Sequence, residues 1–174
     1  MSRNEKEAIE KATADAFLVL YNIKMGSSFF VVEYSDSPDV RCKDTRGNYL
    51  NFEITMTEDN KRDISALLGR SEHKSLEVMK ENLAISKSGK AGSISMSSSL
   101  SSNVAPMAIC RIKAKLKKNY GANTALVVRD TSPVGWDWDM VANEIKCALD
   151  LRRNPFDKGI WIVSYSKDRL FQIA

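Results

Sequence analysis

The sequence predicts an α/β domain, a mixed central sheet flanked by helices, in the single unit that 174 residues allow. Three observations predict it. Short runs of high β propensity alternate with amphipathic stretches, in the order helix, three strands, helical region, strand, helix, strand. The first three strands follow one another closely enough to form a meander. A later run at 125–128 is continuously apolar, as strands covered on both faces are, and 159–165 reads as a last interior strand.

Each element has its local reason. Residues 3–23 carry Ile9, Ala12, Ala16, Phe17, Leu20 and Ile23 at helical spacing, with Glu5, Lys6, Glu10 and Lys11 turned outward. Ser2 and Glu5 have the spacing of a capping box. Met25-Gly26-Ser27-Ser28 ends that helix, and Phe29-Phe30-Val31-Val32-Glu33-Tyr34 follows as a strand. A pair of strands then runs to about Met56, and Thr57-Glu58-Asp59-Asn60 breaks it. Helical patterning returns over 63–85 through Ile64, Leu67, Leu68, Leu76, Met79 and Leu83. Serine and glycine dominate about 86–103, which predicts a flexible insertion.

Residues 104–119 form a second strong helix with an apolar stripe of Ala105, Ala108, Ile109, Ile112 and Leu116, closed by Tyr120-Gly121. A helix over 136–152 turns Val141, Ile145, Ala148 and Leu149 inward, with Asp137 or Asp139 at its positive end and the neighbouring tryptophans buried. Leu170-Phe171-Gln172-Ile173 adds an edge strand. No internal repeat is visible, and 1–174 reads as one domain.

Composition excludes several classes. No apolar run is long enough to span a bilayer, and the charged N-terminus is unlike a secretory signal. Cys42, Cys110 and Cys147 are odd in number and widely spaced, so they read as reduced thiols of a cytoplasmic protein rather than as a disulfide or zinc framework. His73 is the only histidine, which removes two-histidine zinc sites and most catalytic triads. Ser88-Gly89-Lys90 lacks the first glycine and the preceding strand of a phosphate loop. The net charge of +4 is mild, but its distribution is not even. Between 86 and 129 lie eight basic residues (Lys87, Lys90, Arg111, Lys113, Lys115, Lys117, Lys118 and Arg129) and no acidic one. A one-signed segment in a balanced chain suits a polyanion, although a solvated lysine-rich helix reads the same way.

The segment from Pro38 to Thr55 carries the chemistry. Arg46-Gly47-Asn48 is turn-forming and both flanks alternate, so the stretch predicts an antiparallel pair. A turn centred near Arg46 and Gly47 brings Asp39 opposite Glu53 or its neighbour. Glu53 and Thr55, two apart on a strand, share a face. Two carboxylates and a hydroxyl meeting at one edge suit a hard divalent cation. The same residues also have structural readings: Asp39 can set the strand's start, Glu53 can pair with Arg41 or Lys43 across the hairpin, and Thr55 is an ordinary strand residue.

Pro38-Asp39, a variable loop, then Glu53-Ile54-Thr55 on paired strands resembles the PD-(D/E)XK nuclease superfamily, with Thr55 where its lysine stands. The element order is similar over most of the chain. The resemblance implies a restriction-endonuclease-like core and a nuclease that hydrolyses phosphodiester bonds, in DNA, with Mg2+ or Mn2+. Asp39 and Glu53 would hold the metal with the Ile54 carbonyl, joined by a glutamate of the first helix, Glu7 or Glu10. Thr55 carries no charge, so Lys113 or Lys117 of the basic helix would replace the missing lysine. Lys113, Lys117, Lys118 and Tyr120 would contact the nucleic acid. Small nucleases of this kind often act as homodimers, and no membrane is involved. If no cation reaches the carboxylates, the same fold implies a catalytically degenerate module for nucleic-acid binding or protein assembly.

Overall fold

A computed structural model describes residues 3–57, 101–130, 136–164 and 168–174. Within them three helices, α1 (Arg3–Met25), α2 (Ser101–Leu116) and α3 (Trp138–Ala148), accompany six strands. The strands are β1 (Phe30–Tyr34), β2 (Val40–Lys43), β3 (Tyr49–Met56), β4 (Thr124–Arg129), β5 (Ile160–Val163) and β6 (Leu170–Gln172). They form one sheet and lie in it in chain order. β1, β2 and β3 are an antiparallel meander, β3, β4 and β5 are parallel, and β6 closes the far edge antiparallel. The chain is thus an α/β protein with a six-stranded mixed sheet.

The hairpin follows from local chemistry. Asp44 follows the last ladder pair, and its carboxylate accepts from the Arg46 and Asn48 amides and the Asn48 side chain. Gly47 takes φ 87°, a conformation that a Cβ would oppose. These contacts set Lys43 against Tyr49, and from there Cys42 against Leu50 and Val40 against Phe52. The register is therefore centred on Arg46, as the turn residues predict.

Alternation along the strands then sorts the side chains into two layers. Val40, Cys42, Leu50, Phe52, Ile54, Ala125, Val127, Trp161 and Val163 pack under α1. Leu126, Val128, Ile160 and Ile162 face the opposite layer, made by α2 and α3. α1 meets its layer through Ala14, Phe17, Leu18 and Tyr21, with Phe17 lying 5.0 Å from Phe52 and Tyr21 5.5 Å from Trp161, centroid to centroid. Asn22 ties the end of α1 to the next strand, accepting from the Ser27 hydroxyl and the Phe29 amide.

Some sequence expectations shift. Ile23 is 76 % exposed instead of inward, and Ile9, Ala12, Ala16 and Leu20 are only partly covered. The buried stripe is rotated toward Thr13 and Ala14, and Ile23, Lys24 and Met25 of the last helical turn are exposed. α2 begins at Ser101, so 101–103 are helical rather than part of a flexible stretch. It ends at Leu116 rather than near 119, and Gly121 follows at φ 81°. α3 is shorter than 136–152, because the Asp137 side chain accepts from the Met140 amide and caps the helix, so it starts at Trp138. The helix expected over 63–85, the remainder of the serine-rich stretch, the Ser2–Glu5 capping box and His73 lie outside the described residues.

Phe17 carries much of the α1 contact. Phe17→Ala should lower unfolding free energy by about 3–5 kcal/mol, read as a drop in the denaturant midpoint with an unchanged slope.

Candidate functional site

Asp39 immediately precedes β2. One step beyond the Val40–Phe52 pair, the register brings it level with Glu53. Alternation turns both side chains away from α1, toward the layer that holds α2. The Asp39 carboxylate accepts from the Ile54 amide at 2.6 Å, which anchors it against β3. That amide would ordinarily bond a ladder carbonyl.

Pro38 accounts for the other half of the exchange. A strand residue directs its N–H and C=O toward the same neighbour, so the Ile54 carbonyl also points toward the β2 side. The register sets Pro38 opposite Ile54, and proline has no N–H to donate. Pro38 therefore offers the Ile54 carbonyl no ladder donor.

Glu53 is 5 % exposed, which demands compensation for its charge. Lys115 of α2 supplies it, with Nζ 2.5 Å from Oε1 and side chains 21 % and 7 % exposed. Helix phase explains why this lysine arrives there. Lys115 follows the buried Ile112 by three residues, on the stripe that faces the sheet. Removing one partner of a fully buried ion pair costs about 3–5 kcal/mol. The figure is lower here, because Lys115 keeps part of its length in water. The second carboxylate oxygen, Oε2, is buried with no hydrogen-bond partner, and so is the hydroxyl of Tyr120.

Tyr120 follows α2 and stacks on Phe156, centroids 4.9 Å apart. Its phenol is pushed up to about 12, by burial first and then by the negative charges of Glu53 and Asp39. It is therefore a neutral donor beside two carboxylates. The Asp39 carboxyl is pushed up to about 6, chiefly by burial. The Ile54 N–H opposes that rise, the charges of Glu53 and Glu10 add to it, and Lys115 opposes it again.

The sequence-predicted residues thus separate. Asp39, Glu53 and the Ile54 backbone come together where β2 begins beside β3, and Glu10 of α1 is near enough for its charge to act on Asp39. Thr55 shares the Glu53 face and is partly buried. Lys113 does not reach this group. Lys113 and Lys117 lie two residues either side of Lys115, about 200° around the helix, and they and Lys118 are exposed. The cation at the carboxylates is Lys115, which sequence reading counted among the basic residues without singling it out. The signal was a lysine on the apolar stripe, between Ile112 and Leu116.

These groups suit a small hard cation. Mg2+ needs only one or two carboxylates and completes its shell with carbonyls, phosphate and water. The unpartnered Glu53 Oε2, the Ile54 carbonyl and the Asp39 carboxylate match that donor set. Among the described residues no cluster of three or more histidine, cysteine or acidic side chains is placed to hold a metal. The protein would thus contribute few ligands, as is usual for Mg2+. A cavity of about 510 Å³ opens at the other end of β3, lined by Tyr21, Phe29, Asp44, Tyr49, Asn123 and Lys158 among others. Its acidic group, Asp44, is already bonded within the hairpin turn. No helix among the described residues is long and apolar enough to cross a membrane.

The buried Asp39 charge has a measurable cost. Its folded pKa lies above the ordinary 3.8, so its contribution to stability is fully present below that value and is lost as pH rises through about 6. Asp39→Asn keeps an oxygen for the Ile54 amide and removes the charge. It should raise stability above pH 6 by about 1–3 kcal/mol, allowing for solvent screening, and the gain should vanish below the ordinary carboxyl range. Thermal melts across that window check it; a gain that persists in acid would contradict it.

Compared with protein-family models, with curated proteins and with solved structures, the chain finds no match in any of the three.

Proposed function

We propose that this chain is a metal-dependent nuclease with a PD-(D/E)XK-like, restriction-endonuclease-like core, hydrolysing phosphodiester bonds in DNA with Mg2+ or Mn2+. The observation that carries the reading is the contact of Lys115 with Glu53, level with Asp39. It brings two carboxylates and one ammonium together, although Thr55 stands where a strand lysine would supply the cation. Element order supports the same reading: a helix, an antiparallel meander bearing the acidic pair, then a helical crossover to a parallel strand.

Each residue then has a task. Asp39, Glu53 and the Ile54 carbonyl would hold the ion. Bound there, it supplies positive charge for the developing phosphorane and lowers the pKa of a water molecule. Lys115 offers the second positive charge, placing the water or a phosphate oxygen within reach of the carboxylates. Tyr120 remains protonated through the working range and can donate a hydrogen bond to an anionic oxygen. Thr55 contributes a hydroxyl on the same face. Lys113, Lys117 and Lys118, exposed around the end of α2, would meet the phosphates of the flanking nucleotides.

Cleavage of plasmid DNA tests the assignment. Asp39→Asn, Glu53→Gln and Lys115→Met should each lower the Mg2+-dependent rate by about 100-fold or more, read on variants whose circular dichroism matches the wild type. Introducing Thr55→Lys into the Lys115→Met background should recover part of the loss. Full cleavage in the Asp39 and Glu53 variants would end the proposal. Binding of DNA without cleavage in the wild type would identify a degenerate nuclease-fold module instead.

Lys113→Ala, Lys117→Ala and Lys118→Ala should weaken DNA binding without regard to sequence. Each should reduce the slope of log affinity against log salt by roughly 1, as fluorescence anisotropy at several salt concentrations would show.

A further inference from the structure

The ion pair that identifies the site also obstructs it. Glu53 is nearly sealed from solvent, and the oxygen facing Lys115 is held at 2.5 Å. A divalent ion on the free oxygen would lie within a few ångströms of the ammonium on Oε1, and the two cations would repel each other. The other oxygen, Oε2, is buried and has no partner, so the carboxylate is only half neutralised by what surrounds it. The Asp39 carboxylate beside it is fixed by a single backbone donor, and Lys115 lowers its electrostatic load from a distance. The arrangement is that of a cation site held closed by a tethered cation.

We propose that Lys115 is the built-in counter-ion of the metal-free site, and that divalent-ion binding exchanges for it. The ammonium leaves Glu53 as the ion arrives, and the freed Nζ becomes the charge presented to the phosphate. This deepens the nuclease reading and rests on it. Two features of Lys115 make the exchange possible. It comes from α2 and not from the strand that carries Glu53, so its position does not depend on that carboxylate. About a fifth of its side chain is already exposed, so a route to solvent exists. No covalent step is involved. Only the partner of the Lys115 ammonium changes.

The exchange predicts opposite effects on binding and catalysis. Calorimetric titration with Mn2+ should show Lys115→Met binding the ion about tenfold tighter than wild type, since no tethered charge has to be displaced. DNA cleavage by the same variant should be lost. A strut with no competing role would leave Mn2+ affinity equal or weaker, and that result overturns the proposal.

Lys115→Met leaves the Glu53 carboxylate without its cation and can therefore unfold, so a second measurement uses the wild type. Acetylation by acetic anhydride, mapped by mass spectrometry, should be slow at Lys115 without metal and several-fold faster with Mn2+, while exposed Lys113 and Lys117 are unchanged. Equal labelling of Lys115 in both states overturns the exchange. If the wild type binds Mn2+ but shows neither effect, only the exchange fails. If wild type and variant both bind no Mn2+, the metal-site reading itself fails.

Discussion

A carboxylate nearly sealed between a sheet and a helix has to be neutralised, and most of what is distinctive in this protein is arranged around that requirement. Glu53 lies on the face of β3 that α2 covers, where the surrounding positions are filled by apolar side chains. An apolar residue there would pack with less penalty. Its retention as an acid, with a lysine from a distant segment meeting it, ties the phase of α2 to the register of β3. If the helix rotated by one residue, the ammonium would leave the carboxylate and an alanine would face it.

Pro38 and Asp39 work as one device where β2 begins beside β3, inside the same sheet. The proline ends the ladder by withholding a donor, and the aspartate takes the amide that the break releases. The Ile54 N–H is thereby satisfied, while Pro38 offers its carbonyl no donor. On the face that α2 covers, the Glu53 Oε2 and the Tyr120 hydroxyl are buried without hydrogen-bond partners.

The hairpin was legible because its determinants are local. Gly47 at positive φ, Asp44 bonded to the turn amides and strict alternation on both flanks determine the register, and with it the meeting of Asp39 and Glu53. The continuous apolar run identified β4 for the same reason: β4 is buried at every position. The Lys115 contact joins residues 62 apart, and the choice among neighbouring lysines depends on helix phase. Only the position of Lys115 within the stripe of Ile112 and Leu116 pointed to it, and that signal competes with the general lysine content of the segment. In α1 the apolar residues outnumber those one face can bury. The sequence stripe and the packed stripe therefore differ, and Val19 and Ile23 end in water.

Moving a site's cation from strand to helix changes what the cation can do. A lysine at position 55 would project from the same rigid ladder as Glu53, at a separation set by the pleat. Its distance from the carboxylate would vary little whatever else was bound. Lys115 approaches across the interface between two layers, on a flexible four-carbon stem with an exposed portion. It can grip the carboxylate in one state and release it in another without moving the backbone. The folded chain thereby gains a partner for a buried acid that would otherwise destabilise it. Under the proposed nuclease reading, the reacting complex would gain a mobile positive charge near the point where negative charge develops. A strand lysine would give the second benefit with less of the first, and an apolar core would give neither. On that reading, dual use is a physical reason for Thr55 to stand where the resemblance calls for a lysine.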